Sequence, residues 1–294
     1  MFFKRTILDQ IQRLDPEKDD QRILFLSWTH DFPWDSNKAL EFALFRTYAV
    51  PSIGKLLDAT GELTRRTQRR YDDTSLLIAE FLESGYDGER GRRAIQRMNQ
   101  IHHRFRIANE DYLYVLSTFV FEPVRWIERF GWRPYSEQER LAGYHFFKQV
   151  GRRMNIQDIP DSYEAFERFN VQFEREHFRS SDASRRVGEA TRELFLGWYL
   201  PRALHAWGAP AVHALMDEPL LKAFGFPAAP PWLRVMVKGA LRARARLLRL
   251  LPERQRPYLV TQQPNRSYPE GYQLEALGPP ARPSAPLTSG RCEP

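Results

Sequence analysis

Arg92–Phe121 reads RRAIQRMNQIHHRFRIANEDYLYVLSTFVF, and the fold turns on how this stretch is read. Ile95, Met98, His102 and Phe105 recur at steps of three and four residues, the spacing of one helix face. Gln96, Gln100 and His103 fall on another, wetter side. One histidine of the pair therefore belongs to an apolar stripe and its neighbour does not. A neutral imidazole in an apolar wall suits a haem iron as an axial ligand. It equally suits a core histidine satisfied by a backbone carbonyl, and periodicity leaves both open. Asn109–Asp111 breaks this helix, and Asn109 or Asp111 can cap the next. The following YLYVLSTFVFEPVRWIERFGW is apolar on nearly every side, as a buried central helix would be. Pro123 is expected to kink or divide it. Glu122 and Arg125 need partners there, because an unpaired buried charge is costly. An ion pair or a propionate would serve.

Upstream, residues 1–22 are polar and charged and read as an N-terminal arm. Ser36 or Asn37 can cap a helix through Val50, Pro51 starts a short one, and Gly61 closes it. The segment from Glu62 to Ser84 opens with ELTRRTQRRYDDT and turns apolar at SLLIAEFL. On a helix Arg66, Arg70 and Thr74 share a face. Such a face is either solvated and paired with nearby acids, or it borders a bound ligand. A guanidinium can grip a carboxylate with two donors, and a threonine hydroxyl can donate to dioxygen.

Downstream, Ser136-x-x-Glu139 is a capping box before a helix from Glu137 to Met154. His145 lies on that helix, either as a core residue or as a second ligand or acid–base group. Asp161 or Ser162 caps a further helix through Glu176, and Ser181–Pro201 forms another. His30 and His177 read as structural and surface residues, and His205 and His213 show no zinc spacing. Pro231 opens WLRVMVKGALRARARLLRLL, a basic amphipathic helix with Arg234, Lys238, Arg242 and Arg249 on one side. Leu233, Val237, Ala240, Leu247 and Leu251 build its apolar side, to dock on the core or to lie against anionic lipid. RSYPEGYQLEALG can pack back on the body. Residues 279–294, PPARPSAPLTSGRCEP, read as a disordered tail.

The 294 residues, 42% hydrophobic and 13% aromatic, can enclose a large core. Strand patterns and internal repeats are absent, so the expected fold is all-α: one helical domain over residues 23–278. Cys292 is the only cysteine, which excludes internal disulfides and iron–sulfur clusters and leaves no cysteinate ligand near the core. The net charge of +7 raises nucleic acid as a partner. No zinc knuckle, RNP-like strand or helix-turn-helix supports it. No run of 18 apolar residues occurs, and the opening MFFKRTILDQ lacks a signal-peptide core. A cytoplasmic protein is expected.

RMNQIHHRFRIANEDYLYVLSTFVFEPVRWIERFGWRP, followed by GRRMNIQDIPDSYEAFERFN, resembles the family of the fungal ER-bound oxygenase MpaB, with rubber oxygenases as more distant members. The resemblance runs from DFPWDSNKALEFALFRTYAVPS to RSYPEGYQLEALGP. It implies an all-helical fold around one haem b with an axial histidine in an Arg-(x)3–4-His motif, here Arg97 and His102. It also implies a distal Arg and Thr four residues apart, matching Arg70 and Thr74. Rubber oxygenases carry lysine where Asp73 stands, so a distal lysine is not available from that position. Some relatives place a histidine near Leu116, which offers no ligand here.

The implied activity is oxidative cleavage of a carbon–carbon double bond in a small apolar, isoprenoid-like substrate by dioxygen. Arg97 and Arg125 join His102 as expected haem-binding residues, and Phe105, Phe119, Phe121 and Tyr144–Phe147 are expected to wall the pocket. Peripheral contact with an anionic membrane fits the basic last helix. The other reading is a non-catalytic helical protein that binds haem or lipid.

Overall fold

The computed structural model describes residues 6–279. Residues 1–5 of the expected arm lie outside the described residues, as does the expected tail from Ala281 onward together with Pro280 and Cys292. Among the described residues the fold is all-α, with fourteen α-helices and no strand.

The organising element is α8 (Asn109–Phe130), flanked by α3 (Pro33–Thr47), α9 (Glu137–Arg153), α10 (Tyr163–His177) and α14 (Pro231–Leu248). Leu113, Leu116, Val120, Phe121, Val124 and Ile127 of α8 are all buried, as its near-continuous apolar character demands. Pro123 neither ends nor divides it. Proline removes one helical hydrogen bond, and burial against four neighbouring helices outweighs that loss.

Three apolar clusters fill the interior. The largest joins α2 (Asp20–Leu26), α6 (Thr67–Ser84), α7 (Glu89–His102), α8 and α9, and it takes in Leu274 and Leu277 from the C-terminal segment. It also receives Ile7 and Ile11 of α1 (Thr6–Ile11). The second lies among α3, α10, α11 (Asp182–Gly197) and α13 (Glu218–Phe224), with Phe45 stacked on Phe224. The third gathers Phe32, Trp126, Phe130 and Trp132 beside α14. Two short helices, α4 (Pro51–Thr60) and α5 (Glu62–Arg65), and then α12 (His205–His213) complete the set.

Helix ends follow their sequence signals closely. Ser136 Oγ accepts from the Glu139 N–H at 3.3 Å while Glu139 Oε2 accepts from the Ser136 N–H at 2.8 Å, a complete capping box. Ser162 and Ser181 cap α10 and α11. Gly61 ends α4 with φ 69°. The start of α3 differs from the reading above: it begins at Pro33, and Ser36 is buried inside it. Pro33 takes the first helical position, where its missing N–H costs nothing. A π-helical turn, Ser27–Asp31, leads into it.

Candidate functional site

Because α6 and α7 lie side by side, the arginine-rich turn meets the end of the histidine helix. His102 is the last residue of α7. Its ring is partly exposed, but Nδ1 is buried and has no hydrogen-bond partner among the described residues. His103 caps the helix and is exposed. Phe105 lies beyond the helix end, so the stripe stops at His102. Tyr112, from the first turns of α8, holds its ring 5.5 Å from the imidazole. Burial is the main influence holding the His102 pKa down, to about 4, and the positive charges of Arg70 and His103 add to it. The imidazole is therefore neutral at pH 7, with a shielded nitrogen that no protein group satisfies.

Arg70 and Thr74 are brought together on α6. The Arg70 guanidinium donates to Thr74 Oγ, and the Thr74 hydroxyl lies 2.9 Å from the Arg70 carbonyl as a donor. Arg66 does not share their face. It precedes α6 with φ −135° and pairs with Glu62 at 2.6 Å.

Arg97 is one face away from the imidazole. Its Nε donates to the Leu277 carbonyl at 2.8 Å, fastening the C-terminal segment onto α7. That segment also crosses α6. Ser267 Oγ donates to Asp72 at 2.5 Å, Tyr268 donates to Asp73, and Tyr272 donates to Glu80 at 2.6 Å. Asp73, at the position of the rubber-oxygenase lysine, is thus an acceptor for this strap. Gly278 closes the crossing with φ 95°, and a Cβ there would lie 2.4 Å from Ile101 Cδ1.

Arg125 sits elsewhere. Its guanidinium pairs with Glu122 at 2.7 Å and donates to Asn170 Oδ1 at 2.7 Å. Thirteen residues of α8 separate it from Tyr112, about 20 Å at the helical rise. The need for a partner, evident from sequence, is met by a network whose centre the sequence did not single out. Arg46 lies 3.5 Å from Glu122, 2.5 Å from Glu174 and 2.6 Å from Asp217, and Tyr114 donates to Glu174 at 3.1 Å.

Of the other histidines, His213 also has a buried Nδ1 without a hydrogen-bond partner among the described residues, and its ring stacks on Phe226 at 4.8 Å. His145 packs edge-on against Tyr144, within electrostatic reach of Glu17 and Asp15. His177 stacks on Phe173 at 4.0 Å, and His205 lies 2.5 Å from Glu193. No group of three or more His, Cys, Asp or Glu able to hold a metal ion occurs among the described residues.

The expected pocket walls are packed into the core instead. Phe119 stacks on Phe147 at 5.6 Å, and Phe121 meets Phe166 edge-on. An apolar cleft lies instead between α3 and α6, walled by Leu40, Leu44, Ile78, Ala79 and Leu82, with Tyr258 and Val260 joining from the C-terminal segment. Its polar lining includes Glu41, a carboxylate that burial pushes up in pKa and that Lys38 and Tyr71 pull back by hydrogen bonds of 2.8 and 2.7 Å. Tyr71 and Ser75, next in sequence to Arg70 and Thr74, also line this cleft. Nothing in the sequence pattern singled out Glu41, because a lone acid on an amphipathic helix has no distinguishing spacing.

A family profile described as "ER-bound oxygenase mpaB/B'/Rubber oxygenase, catalytic domain" matches residues 41–251. ER-bound oxygenase mpaB' of Penicillium brevicompactum is 29% identical over 75% of the chain and 56% of its own length. ER-bound oxygenase mpaB of Penicillium roqueforti is 32% identical over 66% of the chain and 70% of its own length. The chain thus spans little more than half of the first relative. Both names carry "ER-bound", which overturns the expectation of a cytoplasmic protein. That expectation rested on hydropathy alone; no helix among the described residues is long and apolar enough to cross a membrane, but a protein can be held at a membrane in other ways. With His102, Arg70 and Thr74 on adjoining helices of an all-α fold and the profile covering most of the chain, the protein belongs to the MpaB and rubber-oxygenase catalytic-domain family.

Proposed function

We propose that this chain is an oxygenase that uses haem b and dioxygen to cleave a carbon–carbon double bond of a small apolar, isoprenoid-like substrate, leaving a carbonyl on each fragment. The observation that carries the reading is the buried Nδ1 of His102 without a partner. A buried polar atom left unsatisfied is rare, and a ring nitrogen kept unprotonated by burial is a ready metal donor.

The residues fit such a group. His102 would hold the iron, and bound haem would supply the dioxygen chemistry. Arg70 adds to the burial that keeps the imidazole neutral and, with five donors of which Thr74 occupies one, can also grip a propionate. Arg97 stands on the same helix as His102; its Nε holds the strap and one terminal nitrogen reaches Gln100 at 3.5 Å, which leaves the other to meet a second carboxylate. Thr74 offers a hydroxyl beside Arg70. Arg125 is engaged in the Arg46 network and serves the interior under this reading. The α3–α6 cleft, walled mainly by apolar side chains, suits a hydrocarbon chain. The relatives' names support an oxygenase and a membrane setting, which suits a greasy substrate.

Absorbance of the purified protein tests the reading. A Soret band should be present, be lost in His102→Ala and be kept in His103→Ala, with partial return of the first on adding imidazole. Protein that stays colourless after expression with ample haem would overturn it. A second reading, a haem or lipid binder without turnover, draws on Asp73 in place of the lysine. Carbonyl products from an isoprenoid under oxygen separate the two.

A further inference from the structure

The last long helix presents an apolar ridge to solvent. Trp232, Met236, Gly239, Ala243, Leu247 and Leu250 fall at steps of three and four and are all exposed, Met236 at 60% and Leu250 at 72%. The opposite side is already used: Ala245 is buried, and Arg244 pairs with Asp35 at 3.0 Å and lies over the Trp34 ring. Leu247 and Leu251, read from sequence as part of an apolar side that docks on the core or lies against lipid, are 64% and 52% exposed.

A second element stands beside it. α12 packs against α14, and the segment leading through its first turn exposes Tyr199, Leu204 and Trp207, the last at 84%. This turn is held at its base. His205 spans Glu193 Oε2 at 2.5 Å and the Leu200 carbonyl at 3.2 Å, so the rings project from a fixed support.

Positive charge borders both elements. From Pro219 to Pro252 there is no acidic residue and there are seven Lys or Arg; Leu194–Met216 also lacks any acid. Among the described residues Arg234, Lys238, Arg242 and Arg246 form no salt bridge. Burial holds the Lys238 pKa down, and the nearby charges of Arg234, Arg129 and Arg242 add to it. A soluble surface avoids a contiguous exposed ridge of this kind.

We propose that α14 and the Tyr199–Trp207 turn form one docking face that seats the chain on a bilayer bearing anionic phospholipid, the apolar ridge and two tryptophans entering the interface while the arginines meet phosphate groups. Tryptophan at headgroup depth and arginine with its stem along apolar surface are the usual occupants of that zone. This deepens the membrane-peripheral part of the reading above, naming the surface and the lipid; it rests on that part and not on haem.

Whole purified protein is sedimented with vesicles of phosphatidylcholine alone or of phosphatidylcholine and phosphatidylserine in equal parts. Binding is expected to the mixed vesicles, with a blue shift of tryptophan emission. Trp207→Ser with Trp232→Ser should weaken it about tenfold or more. Arg242→Glu with Arg246→Glu should remove its salt-sensitive part. The Soret band should stay unchanged in both double variants, so loss of docking and loss of cofactor are read separately. Absence of binding to either vesicle, or binding indifferent to the ridge variants, overturns the proposal. So does a dimer that the ridge variants turn into monomers, since a second copy would then cover the face.

Discussion

Arg70 stands within electrostatic reach of the His102 imidazole, and its charge joins burial in keeping that ring unprotonated. Two residues 32 positions apart in sequence thus share one electrostatic environment, because α6 and α7 pack side by side.

Acid should destabilise the haem-free chain through this ring. The folded value of about 4 lies below the unfolded 6.5. The unfolded state therefore binds the proton first, and stability present above pH 6.5 is lost as pH falls through 4. The gap corresponds to about 3 kcal/mol. Urea unfolding at pH 7 and pH 4.5 should show a smaller acid loss in His102→Gln than in the parent. Equal losses would mean that the ring is solvated.

Arg70→Ala should raise the His102 pKa, since a nearby like charge is removed, yet leave it below 6.5 because burial remains the larger cause. An NMR titration of the ring protons measures it. The same variant should release haem more readily. A titration that does not move would take Arg70 away from the site.

Arg46→Ala should cost about 3–5 kcal/mol, as expected when a buried ion pair loses one partner and strands the other. The stranded groups are Glu122 and Glu174, whose side chains are 10% and 13% exposed. Adding Glu122→Gln should recover part of the loss in denaturant melts. A cost below about 1 kcal/mol would show the network to be solvated.

Removing residues 280–294 should leave helicity and melting temperature essentially unchanged. Removing 265–294 should lower the melting temperature by roughly 5 °C or more, because it uncovers Leu274 and Leu277 and strips partners from Asp72, Asp73 and Glu80. Circular dichroism melts compare the two. Matching melts would show the strap to be dispensable.

Much of this was legible in the chain. The direction of His102 against His103 followed from helical period, because a face is local information. So did the Ser136 capping box and the pairing of Arg70 with Thr74. The Arg46 network was not legible, since its acids come from α8, α10 and the residue before α13, and spacing says nothing about which distant helices converge. Which side of α14 faces outward was not legible for a related reason. An amphipathic pattern gives two faces, and which one docks is set by neighbours such as Asp35 and Trp34. The aromatic pocket walls failed likewise, as rings that can line a cavity can also fill a core.

The strap has a consequence for biosynthesis. Asp72 and Ser267 are 195 residues apart, and Arg97 and Leu277 are 180 apart. A ribosome releases α6 and α7 long before the segment that closes over them exists. During that interval Leu274 and Leu277 have not yet covered the apolar cluster of α6 and α7, and Asp72, Asp73 and Glu80 lack the hydroxyl donors that Ser267, Tyr268 and Tyr272 later bring. The two helices are held by their own packing until the C-terminal segment arrives to fasten them.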